Sequence, residues 1–187
     1  MRSTLPRRSV ADLSPGPAQV TGRVRAWGPP MQAPISGRSC IYYQVIGRNH
    51  VWPWHDRRSA PASDVAFWID DGGDQLLIVV PPSSPKPKVI NDGDPTLDCA
   101  VAGDGFRRTI YLGESPALDR LLDPGGLSFP PDAYLHVEER IIAEGDRLTI
   151  GGQVVEEITV EGQSLNYRSP PMRLVLRARS IRKVGKT

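Results

Sequence analysis

Cysteine, histidine and long apolar runs are scarce in this sequence, and each shortage excludes something. The two cysteines, Cys40 and Cys99, cannot build the multi-bridge framework of a small secreted domain. One bridge stays open, and a reducing, cytoplasmic setting is the simplest expectation. No stretch approaches the roughly 18 to 20 consecutive apolar residues that a membrane-crossing helix needs. The first ten residues are basic but lack the apolar centre of a secretory signal. Charge of one sign is lacking too: a formal net charge of +2 is too weak to argue by itself for a polyanionic partner. The Walker loop, the dinucleotide fingerprint, the Gly-x-Ser-x-Gly elbow and the His-Glu-x-x-His pair are all missing. These absences predict a soluble domain that binds or regulates, with no catalytic motif and no cofactor.

Proline and glycine, by contrast, are plentiful, at 19 and 18 of 187 residues. That composition favours short strands joined by loops over a helical bundle. After a flexible leader over 1–16, residues 19–27 alternate Val20, Gly22, Val24 and Ala26 against polar neighbours, the period of a half-buried strand. Residues 39–48 are rich in β-branched and aromatic side chains and predict a second strand. Residues 65–70 and 75–80 flank Asp71, Gly72, Gly73 and Asp74, a hairpin signal. A Pro/Asp/Gly-rich excursion covers 81–104, and residues 107–112 allow a short strand. Ser115 as N-cap, Pro116 at the first position and Leu118, Leu121 and Leu122 on one face predict a single short helix.

Three strands close the domain, over 135–142, 147–156 and 172–179. The middle one carries Gly151 and Gly152, a pair that marks a bulge or sharp bend. In the last, Met172, Leu174, Leu176 and Ala178 are expected inward and Arg173, Val175, Arg177 and Arg179 outward. Residues 17–180 thus read as one mainly antiparallel all-β domain, ending in a basic tail over 181–187. A curled sheet with one helix in mid-chain suits a small, partly open barrel of the OB type, with a β-sandwich as the alternative.

Several segments invite function. Residues 50–55 place His50, Trp52, Trp54 and His55 in one loop. Two imidazoles short of a third ligand make a weak metal candidate, whereas exposed indoles would anchor a protein partner. The Asp/Gly clusters at 70–74 and 91–94 match turn chemistry better than a calcium loop, which needs a terminal glutamate. Arg173, Arg177 and Arg179 would share one face of the last strand. With Tyr42, Tyr43 or Trp68 nearby they could hold single-stranded nucleic acid, and the basic tail could touch anionic lipid. Cys40 has no histidine close in sequence and reads as a small buried hydrophobe. Glu138 and Glu139 occupy adjacent strand positions, so they face opposite ways and cannot act jointly.

Four segments together resemble a known family: residues 18–24, the loop 34–40 leading into Ile41, Tyr42 and Tyr43, residues 67–73, and residues 138–152. The last combines an acidic pair, an apolar pair and a Gly-Asp turn entering a glycine-bent strand. Their spacing is similar to the domain that lies beside the membrane in the GIDE family of mitochondrial E3 ubiquitin ligases and their prokaryotic relatives. The resemblance spans residues 18–179. Family ligases also carry membrane helices and a RING, whose two zinc sites take about eight Cys/His ligands; two cysteines and three histidines cannot supply them. The resemblance therefore implies the accessory domain alone, a protein-interaction or sensing module acting beside separate catalytic subunits. Arg38, Tyr42, Tyr43, Trp52, Trp54 and the arginine face are its expected contacts.

Overall fold

The computed structural model describes residues 5–48, 56–59, 61, 63–82, 100–102, 106–111, 134–158 and 172–184. After a 3-10 turn at Val10–Asp12, the strands are β1 (Gly16–Ala26), β2 (Met31–Gln32), β3 (Ser39–Cys40), β4 (Tyr42–Arg48), β5 (Asp56–Ser59) and β6 (Val65–Asp70). They continue as β7 (Gln75–Val80), β8 (Ala100–Ala102), β9 (Phe106–Tyr111), β10 (Tyr134–Ile142), β11 (Arg147–Ile158) and β12 (Met172–Lys183). The described residues form an all-β structure, and the expected helix over 115–122 lies outside them.

Five strands close into a barrel. β1 pairs with β6, β6 with β7, β7 with β12, β12 with β11, and β11 returns to β1. Every contact is antiparallel except β7 with β12. In chain order the strands run first, second, third, fifth, fourth around the circle. The barrel is thus closed where a partly open one was expected, because β11 reaches both neighbours. Beside it β5, β4, β10 and β9 form a four-stranded antiparallel sheet, and β10 turns tightly into β11.

The alternation read from β1 holds: Val20, Gly22 and Val24 are buried. Val24, Phe67, Ile69, Ile78, Ile150 and Leu176 fill the barrel with their neighbours. Gly22 is required there, since a Cβ would fall within 3 Å of Ile69 Cγ2 and the Asp70 backbone. The hairpin β6–β7 matches its expected bounds. The expected strand over 39–48 is broken at Ile41, whose N–H turns away to the Ile142 carbonyl at 2.7 Å.

Four expectations fail for tertiary reasons. Residues 5–13, read as flexible leader, are folded: Arg7 bridges Gln19, and Val10 and Leu13 pack on the core. Part of the excursion, Ala100–Ala102, pairs in parallel with β12. Met172 lies half-exposed at a strand end, while Val175, expected outward, is fully buried. The start of the basic tail completes β12, with Ile181 in the core. The cause of the last is a bulge at the glycine pair, where Gly151 faces Ser180 but Gly152 faces Ala178. The extra residue, Arg179, shifts the phase, so Ala178 and Ile181 both point inward.

Candidate functional site

The outer face of the barrel carries an aromatic cluster. On β1 the positions alternating outward lead through Arg23 and Arg25 to Trp27, and β6 presents Trp68 directly across from Arg25. The two indoles meet at 5.0 Å between ring centroids, tilted by 57°. The Arg173 guanidinium, arriving from β12, lies 5.1 Å over the Trp27 ring. Trp27 remains 38 % exposed, which leaves part of its surface available to a partner. Beside it opens a depression of about 570 Å³, lined by Val10, Ala11, Trp68, Gln75, Arg173 and Leu174 among others.

One wall of this depression is the N-terminal segment, and Asp71 holds it. One Asp71 carboxylate oxygen accepts the Val10 N–H at 2.8 Å; the other accepts the N–H groups of Gly73 and Asp74, both at 3.1 Å. The Val10 and then the Asp74 hydrogen bonds hold the Asp71 carboxyl below the usual carboxylate range, against a small opposing effect of burial.

A second constellation sits under the loop 33–38. Glu139 on β10 is fully buried, and its two oxygens accept the N–H groups of Ile35 and Ser36 at 2.7 and 3.0 Å. Cys40 and Tyr43 share this compartment with Ile141. Burial first, and then the Glu139 charge, push the Cys40 thiol up to about 11, with Arg38 acting the other way. Burial likewise raises the Tyr43 phenol above its ordinary value, with smaller contributions from Cys40 and Glu139. A carboxylate with each oxygen held by a backbone donor, beside a thiol kept protonated by burial, does not make a base and nucleophile. Glu138 faces the other way, 2.9 Å from Arg140 Nε.

Of the contacts expected from sequence, Tyr42 belongs to the core at 1 % exposure, because the β4 alternation turns it inward; it cannot meet a partner. Tyr43 is half-buried, and Arg38 is exposed on the loop latched by Glu139. The three β12 arginines have separate surroundings. Arg173 covers Trp27, Arg177 is held by Glu157 at 2.9 and 3.2 Å, and Arg179 stands out on the bulge. His50, Trp52, Trp54 and His55 lie outside the described residues, as does Cys99. Sequence reasoning missed Trp27 as a site residue, although the outward parity of Arg23, Arg25 and Trp27 was available to signal it. Among the described residues there is no group of three metal-ligating side chains, and no helix is long and apolar enough to cross a membrane. No protein-family model, curated protein or solved structure matches the chain.

Proposed function

We propose that this chain is a non-enzymatic protein-interaction domain of an OB-like barrel type, related to the accessory domain of GIDE-type ubiquitin ligases and working in the cytoplasm. Its contact patch is Trp27, Trp68 and Arg173 with the adjoining depression. The observation that carries this reading is the solvent-facing indole pair held under an arginine, outside the packed core and next to a cleft large enough for a side chain. Trp and Arg are enriched among binding hot spots: Trp buries much area at little conformational cost, and Arg brings a planar fork of donors.

What supports the OB-like assignment is the strand order with its parallel third and fifth members. The GIDE relation draws support from Glu139, which belongs to one of the resembling segments and binds the backbone of another, the loop 34–40. At this patch a protein partner is favoured over a nucleic acid. Asp70, Asp71 and Asp74 crowd the β6–β7 turn beside the cleft and would repel phosphates there.

Selecting displayed peptides against the purified chain, then measuring their affinity for Trp27→Ala/Trp68→Ala, tests the reading. The double variant should bind at least about thirtyfold more weakly with an unchanged thermal midpoint, since two hot-spot side chains are removed. Equal affinity would remove the patch from the account.

A further inference from the structure

We propose that a second part of the outer face, the arginine row of β1, β11 and β12, binds the phosphodiester backbone of single-stranded nucleic acid. Arg23 on β1 and Arg147 on β11 are direct cross-strand partners, and both are exposed. Arg182 on β12 lies across from Thr149, one outward position along β11 from Arg147. Thr21 and Thr149, hydrogen-bonded to each other at 2.9 Å, sit within the row. Arg179 flanks it on the bulge.

The neighbouring carboxylates are already engaged. Asp70, which faces Arg23 from β6, approaches Arg25 at 3.8 Å and accepts the Gly72 N–H at 2.9 Å, and Asp146 holds Lys183 at 2.8 Å. Among the described residues Arg23, Arg147 and Arg182 have no ion pair. Like charges directly opposite on adjacent strands destabilise a sheet. The glycine-pair bulge adds to that cost. Without its phase shift Arg182 would point into the barrel and Ile181 outward; with it, a third guanidinium joins the row. An anion seated between the three relieves the repulsion, and guanidinium forks fit phosphate oxygens.

The row also has direction. With strands about 4.8 Å apart it crosses three of them, from β1 over β11 to β12. A cationic row across three strands suits a single strand, whose backbone pairs with the charges. A surface that inserts into a membrane interface sets apolar side chains around its cations, whereas this row is interleaved with threonine hydroxyls.

Fluorescence anisotropy of a labelled oligothymidylate against salt tests the proposal on the full chain. Three phosphate contacts predict a slope of log K against log salt near −2, at about 0.7 per contact. Each single change Arg23→Gln, Arg147→Gln or Arg182→Gln should reduce the slope by about 0.7, and the triple variant should lose binding. Arg108→Gln, an exposed position on β9 of the other sheet, should bind as the parent does. Absence of binding at low salt, or an unchanged triple variant of native thermal midpoint, would overturn it. So would binding to phosphatidylserine vesicles without binding to the oligonucleotide, which would put a membrane on this face. Because Trp27→Ala/Trp68→Ala leaves the arginines in place, failure here and failure of the peptide patch are read separately.

Discussion

Two carboxylates hold two segments against the β framework, and they do so at different depths. Glu139 is wholly buried and takes the Ile35 and Ser36 N–H groups. Asp71 is near the surface and takes the Val10, Gly73 and Asp74 N–H groups. The chemistry is the same, a negative charge accepting backbone donors, but the reference state differs. Water can replace Asp71 at its donors. It cannot easily reach the donors under loop 33–38, so loss of Glu139 strands them in a dry compartment. Depth decides whether such a latch is structural or adjustable, and the adjustable one forms a wall of the proposed peptide cleft.

Breaking the deep latch should have the largest effect. Glu139→Ala is expected to cost about 2–4 kcal/mol and lower the thermal midpoint by about 10 °C, read by calorimetry. A loss as small as that of a surface substitution would refute the contrast. Asp71→Ala should cost only about 1 kcal/mol. Its signature is local, namely faster hydrogen exchange and proteolysis around Val10 with the barrel amides unchanged.

Acid should act as that substitution does. Since the Asp71 carboxyl is held below its ordinary value, its contribution is complete above about pH 4 and is lost as pH falls through the lowered folded value. Hydrogen exchange near Val10 should therefore rise in acid before the barrel unfolds. The smallest expected effect concerns Cys40. With its thiol pushed up to about 11 it stays protonated, so alkylation by iodoacetamide at neutral pH should be slow. Glu139→Gln removes one of the two influences that raise it and should speed alkylation. An unchanged rate would mean that burial alone suppresses the thiol. The sign also fixes an alkaline trend: the folded thiol keeps its proton above the ordinary thiol value of about 8.5, so this contribution to stability falls as pH rises from there towards 11.

Local pattern made much of the barrel legible. The β6–β7 hairpin follows from two apolar runs around Asp71, Gly72, Gly73 and Asp74, because turn and strands are written in contiguous residues. The bulge follows from Gly151 and Gly152. The candidate site was less legible. Tyr42 and Tyr43 look equivalent in sequence, yet one fills the core and the other lies beside Cys40. Trp27 reads as the end of a strand until Trp68 and Arg173, each far along the chain, arrive beside it.

By itself the sequence determined the strand class, the inward positions of β1 and the hairpin bounds, since period-two alternation is a local property of the backbone. Only the tertiary structure decided which strand closes the barrel on which. It also decided which carboxylate meets which backbone donors, and that a one-residue slip at Gly152 sends Arg182 out to join Arg23 and Arg147. Those outcomes depend on register between strands distant in the chain, and a shift of one residue there exchanges the two faces of everything that follows.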